Sequence, residues 1–138
     1  MRKEVNTMEK KKVKAVIERG DDGRFAVYVD DEQGYGFHGF GDTAEDAMED
    51  FVIAYNEFRE KGWCNESLQF DFVYDTASFL QLFKDKLSLT GLQAITGVNR
   101  KQLNHYVTGV SRPSPKTVQR ISTGLKQFSQ ELSNIVLV

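Results

Sequence analysis

The sequence predicts an α+β chain in two parts, a β-β-β-α-β unit over residues 13–75 and an all-α unit over residues 76–138. Three observations carry this prediction. Short alternating or β-branched runs occupy the first half, interrupted by one long helical pattern. From Ala77 onward, apolar residues recur at three- and four-residue intervals between capping residues and glycines. The formal net charge of −2 also hides a division along the chain: residues 1–75 carry ten Lys/Arg and eighteen Asp/Glu, a net −8, whereas residues 76–138 carry eight and two, a net +6. A basic half suits a polyanion, and an acidic half suits a basic protein partner.

At 138 residues, 40% hydrophobic and 28% charged, the chain fits one ordinary domain or two small ones with a real core. Apolar runs such as Ile135-Val136-Leu137-Val138 fall far short of the roughly 20 residues that span a bilayer, so no membrane association is expected. The basic start, Met1-Arg2-Lys3, runs into further charge rather than an apolar stretch; no secretory signal is expected, and the chain reads as cytoplasmic. A single cysteine, Cys64, and two histidines argue against an internal disulfide and a structural zinc site. No metal or cofactor is expected.

Residues 1–12 lack periodicity and read as a flexible charged tail. Val13-Lys14-Ala15-Val16-Ile17-Glu18 is a strand, Gly20-Asp21-Asp22-Gly23 a turn, and Arg24-Phe25-Ala26-Val27-Tyr28-Val29 the returning strand, with Phe25, Val27 and Val29 on one face. A third strand is predicted over Gly34-Tyr35-Gly36-Phe37-His38-Gly39-Phe40-Gly41. Its glycines imply tight bends or close backbone approach, since no Lys or Ser/Thr completes a phosphate loop. A helix then begins, capped by Asp42 or Thr43, with Glu45 or Asp46 placed to close a capping box. Ala44, Ala47, Met48, Phe51, Ala54, Tyr55 and Phe58 form its apolar stripe, and Gly62 ends it. The fourth strand is Phe70-Asp71-Phe72-Val73-Tyr74.

Catalytic readings of this half are weak. Asp30, Asp31, Asp42 and Asp71 would suit a two-metal nuclease only if they converged. The first two sit at a strand end before a turn, and Asp42 serves better as a cap. His38 has no evident nucleophile or orienting partner, and Cys64 beside Trp63 has no neighbour to lower its pKa. The chain is not expected to be an enzyme.

In the second half, Phe79, Leu80, Phe83 and Leu87 mark a first helix. Ser88 caps a second over residues 89–96, with Leu92 and Ile95 inward, and Gly97 breaks it. Asn99 caps a third over residues 100–108, with Leu103 and Val107 inward, Val98 anchoring the turn and Gly109 as the stop. Ser114 and Pro115 open a fourth, whose buried side is Val118, Ile121, Leu125 and Phe128. Helix, glycine turn and helix within about twenty residues is the spacing of the DNA-reading helix-turn-helix. A third helix entering the major groove presents Arg100, Lys101, Asn104 and His105, with Asn99 and Gln102 beside them. Arg and Lys donate to guanine, and Asn pairs bidentately with adenine. Thr90, Tyr106, Ser111, Arg112 and Lys116 are the candidate phosphate contacts. The competing reading is a helical bundle with a merely basic surface.

The stretch SLTGLQAITGVNRKQLNHYVTGVSRPSPKTVQRI, residues 88–121, resembles the Cro/C1-type helix-turn-helix at Leu92, Gly97-Val98, Leu103, Tyr106, Gly109, Pro113-Ser114-Pro115, Thr117 and Arg120-Ile121. It departs at Gln93, where that family usually has a small residue; a glutamine there implies a wider helix crossing or a side chain turned outward. The first half resembles the HicB antitoxin domain, a reduced RNase H-like fold without the nuclease carboxylates. The matching residues are Gly23-Arg24-Phe25-Ala26-Val27-Tyr28-Val29, then Gly39-Phe40-Gly41-Asp42-Thr43-Ala44-Glu45-Asp46-Ala47 and the helix that follows. Gly34-Tyr35-Gly36 replaces that family's Pro-Gly-Cys. Together the resemblances imply a type II antitoxin: residues 13–75 bind and occlude a HicA-like basic RNase toxin, and residues 76–138 bind double-stranded operator DNA and repress its operon. The alternative is a stand-alone helix-turn-helix regulator whose first half senses a ligand or dimerises. One helix-turn-helix reads few bases, so a homodimer or higher even-numbered oligomer is expected. The apolar tail, residues 132–138, would either dimerise or fold back on its own core.

Overall fold

A computed structural model describes residues 9–29 and 34–138. The chain divides after Asp75 into two compact units.

The first unit is a four-stranded sheet with one helix across a face. Strands β1 (Lys11–Arg19), β2 (Phe25–Val29), β3 (His38–Gly41) and β4 (Leu68–Tyr74) lie in the order β3-β2-β1-β4, and helix α1 (Ala44–Glu60) connects β3 to β4. β1 pairs antiparallel with β2, from Ala15 opposite Val29 to Arg19 opposite Phe25. It pairs parallel with β4, from Lys11 opposite Leu68 to Ile17 opposite Tyr74. The connecting turn closes as expected: Gly20 N–H donates to the Arg24 carbonyl at 2.8 Å, and Asp22 Oδ1 accepts from Arg24 N–H at 2.9 Å.

Alternation puts Val13, Ala15 and Ile17 of β1, Phe25 and Val27 of β2 and Leu68 of β4 under the helix, where all are buried. From α1, Ala44, Ala47 and Phe51 complete this core, and Phe37 joins from the segment before β3. Phe37 and Phe51 rings lie 5.3 Å apart, and Phe70 lies 4.7 Å from Phe51 in edge-to-face geometry. Met48, Ala54, Tyr55 and Phe58 flank this cluster half-buried. The helix can lie this close because β3 carries glycine: a Cβ on Gly39 would run into the Ala47 carbonyl and the Phe51 backbone, 2.6 Å from Phe51 Cα. The β3 glycines thus serve close backbone approach, while those at 34 and 36 have positive φ.

Two sets of strand bounds shift, and one open choice of cap is settled. Lys11 and Lys12 extend β1 rather than belonging to the tail, because Leu68 and Gln69 lengthen β4 to meet them; residues 1–8 lie outside the described residues. The third strand is only His38–Gly41. Thr43, not Asp42, caps α1, accepting from Asp46 N–H at 3.0 Å, because Asp42 is drawn to Arg24 Nε at 3.0 Å. Cys64 is buried, its thiol near the Glu66 carbonyl at 3.7 Å.

The second unit is all helical: α2 (Thr76–Leu82), α3 (Leu89–Thr96), α4 (Arg100–Thr108) and α5 (Pro115–Ser133). Leu80, Leu92, Val98, Leu103, Tyr106 and Ile121 form its core, with Phe79, Leu87, Leu89, Val107 and Leu125 packed at the edge. α2 stops before Phe83, which with Leu87 follows in a turn where Leu87 N–H donates to the Phe83 carbonyl at 2.8 Å. Val118, expected inward, is 37% exposed, since the first turn of α5 runs beyond the cluster that begins at Ile121. Ile135, Val136, Leu137 and Val138 are exposed, so the tail does not fold onto this core. Among the described residues, no helix is long and apolar enough to cross a membrane.

Candidate nucleic-acid interface

Three caps build the helix-turn-helix locally. Ser88 Oγ accepts from Gly91 N–H at 3.0 Å to open α3, Asn99 Oδ1 accepts from Lys101 N–H at 2.8 Å to open α4, and Ser114 Oγ accepts from Thr117 N–H at 3.2 Å to open α5. Gly97 ends α3 at φ 76°, in the left-handed region. The turn is then pinned from both sides. Buried Thr96 donates its hydroxyl to the Leu92 carbonyl at 2.7 Å and accepts from Val98 N–H at 3.1 Å. From α5, Arg120 Nη2 donates to the Gly97 carbonyl at 2.7 Å. Gln81 ties α2 to the far end of α4 by donating Nε2 to the Val107 carbonyl at 2.8 Å.

This scaffold leaves much of α4 open to solvent. Arg100, Lys101, Gln102 and Asn104 are exposed and His105 is half-buried. Asn99 is exposed too, but its side-chain oxygen is committed to the cap. Thr90 meets this surface directly: Arg100 Nη1 donates to Thr90 Oγ1 at 3.2 Å. Ser111 and Arg112 are exposed between α4 and α5. Lys116 lines a groove with Ile95, Thr96 and Arg120, at the C-terminal end of α3.

One candidate moves. Tyr106 is 2% exposed and belongs to the core, so it is not a phosphate contact. The helical period explains this: three residues after Leu103, it lies within the same inward arc as Leu103 and Val107. Gln93 resolves in the outward direction. It is exposed, and its Oε1 accepts from Arg100 N–H at 2.7 Å.

Sequence reasoning missed two working positions. Arg120 was legible only as a motif match, and its role needs the distance to Gly97. Gly124 is buried against α3, where a Cβ would lie 2.6 Å from the Ile95 carbonyl oxygen. Its available signal was a glycine inside a nineteen-residue helix, a place where glycine normally costs stability.

Among the described residues, the candidate nuclease carboxylates Asp42 and Asp71 do not come together. Asp42 pairs with Arg24, Asp71 is exposed on β4, and Asp30 and Asp31 lie outside the described residues. Among the described residues, no three His, Cys, Asp or Glu side chains group to hold a metal ion. His38 is exposed on β3.

The arrangement predicts that Arg100→Ala weakens binding to a preferred duplex by about 1–3 kcal/mol and relaxes preference at one base pair. Titration at fixed salt checks this; unchanged affinity would remove Arg100 from the reading face.

Residues 82–127 match the helix-turn-helix family model. No curated protein and no solved structure matches the chain.

Proposed function

We propose that this DNA-binding helix-turn-helix regulator is the antitoxin of a type II toxin–antitoxin pair: a HicB-like first unit binds and occludes a HicA-like, mRNA-cleaving basic toxin, and the second unit represses the shared operon. The helix-turn-helix match supports the DNA-binding and regulatory half. The observation that carries the toxin-binding half is the outer face of α1. It exposes Glu45, Asp46, Glu49, Asp50, Glu57 and Glu60 against a single Arg59, and in their midst Val52 and Ile53 are 38% and 51% exposed. An apolar centre ringed by acids suits a cationic protein surface, with charge steering the encounter and the apolar pair excluding water.

Inhibition on this reading is exclusion of RNA from the toxin, with no chemistry by this chain and no cofactor. The regulator works as a homodimer or higher even-numbered assembly, joined through the exposed apolar tail, so that two α4 helices reach two half-sites.

Co-expression with any short basic protein encoded beside it tests the proposal. The expected result is rescued growth, co-purification of both chains, and a native mass containing an even number of copies of this chain. No rescue and no complex, with DNA binding intact, would instead favour a stand-alone regulator whose first unit senses a ligand or dimerises.

A further inference from the structure

Arg100 is held by α3 at both ends. Gln93 Oε1 accepts its backbone N–H at 2.7 Å, and Thr90 Oγ1 accepts from its Nη1 at 3.2 Å. Thr90 and Gln93 are three residues apart on one helix and so share a face. The first N–H groups of a helix have no partner within it, and two of those of α4 are met by side chains, Arg100 N–H by Gln93 and Lys101 N–H by Asn99. A short or apolar residue at position 93 cannot supply this link.

We infer that Gln93 is a positioning residue for sequence reading, fixing the first turn of α4 against α3 and, with Thr90, setting the direction of the Arg100 guanidinium. The inference rests on the DNA-binding reading. Its chemistry follows from the groups left over. With Nη1 on Thr90, Arg100 keeps Nε and Nη2 for a base, and a planar fork discriminates only when its orientation is fixed. Gln93 itself is a poor reader of adenine, which requires a donor and an acceptor aligned together, because its oxygen is already turned toward the Arg100 N–H. Its influence on sequence therefore passes through Arg100.

The test uses the full chain and the duplex that the wild-type protein enriches from a randomised pool. The readout is the ratio of affinity for that duplex to affinity for a scrambled one at the same salt. Gln93→Met keeps the shape and removes the acceptor, and the ratio should fall about tenfold. Gln93→Glu keeps an acceptor for Arg100 N–H; its charge weakens binding to both duplexes alike, and the ratio should stay near wild type. In the Arg100→Ala background, Gln93→Met should change nothing more, because both act on one contact. A Met variant with the wild-type ratio, a Glu variant as poor as Met, or additive losses in the double variant would each overturn the role of Gln93 while DNA binding stands. A wild-type chain that enriches no sequence would overturn the DNA-reading premise and this inference with it.

Discussion

Phe51→Ala should destabilise the first unit by about 3–5 kcal/mol, the cost of deleting a buried phenyl ring and leaving a cavity. Phe51 is completely buried, 5.3 Å from Phe37, 4.7 Å from Phe70 and 6.0 Å from Phe72 by ring centroids. The space it leaves resists collapse from two sides. Its own helix is already in close backbone contact with β3 at Gly39, so α1 has no room to slide toward the sheet there. The aromatic neighbours are themselves held, Phe37 by Tyr55 and Phe58 at 5.4 and 5.5 Å. Domains of this size have a total stability of about 5–15 kcal/mol, so a loss of this size leaves a substantial unfolded fraction. Urea unfolding followed by far-UV circular dichroism measures it. Phe40→Ala is the control: Phe40 is 58% exposed, and its removal should stay within about 0.5 kcal/mol. A Phe51→Ala loss below about 1 kcal/mol would mean the cluster repacks and the core is not organised around this ring.

Gly124→Ala should destabilise the second unit and weaken duplex binding, although the same change at an open helix position stabilises by about 1 kcal/mol. The sign is the test. The added Cβ would lie 2.6 Å from the Ile95 carbonyl oxygen and 2.9 Å from Thr96 Cα, both backbone atoms of α3. Neither can yield by rotating a side chain, so α3 must move off α5. Overpacking of this kind costs about 1–3 kcal/mol, which outweighs the gain in helix propensity. The displaced segment is the end of α3 that leads into the Gly97 turn, where Arg120 of α5 holds the carbonyl at 2.7 Å. A shift there tilts α4, so affinity for the preferred duplex should fall together with the melting temperature. A rise in melting temperature would show that α3 and α5 are not in backbone contact at this point.

Much of the architecture is legible because its signals are local. Ser88, Asn99 and Ser114 each cap the helix they precede, since a short polar side chain needs only its own neighbours' N–H groups. Gly97 and Gly109 end helices because left-handed backbone favours glycine at that residue. The stripes along α1 and β2 name their buried residues, since period and face are properties of one element. Choices stay open, and bounds shift, where the outcome depends on something distant. Asp42 and Thr43 are equally good caps until Arg24, eighteen residues earlier, takes Asp42. β1 begins at Lys11 only because Leu68 and Gln69 are there to pair with it.

The interface divides along the same line. Which residues of α4 could face a duplex follows from helical period and charge, and Arg100, Lys101, Gln102 and Asn104 are indeed exposed. Which of those groups remain available is decided by packing. Tyr106 is taken by the core, Asn99 and Gln93 spend their oxygens on the first turn of α4, and Arg120 spends its guanidinium on Gly97. The sequence by itself determined the order and type of the elements, the caps of α3, α4 and α5, the split of charge and the helix-turn-helix spacing. Tertiary structure alone decided how close α1 and α5 approach their neighbours, through Gly39 and Gly124, and which polar side chains stay free. The reason is physical: helical and strand periods are set within a few residues, whereas steric fit and hydrogen-bond pairing between distant segments exist only once the chain has packed.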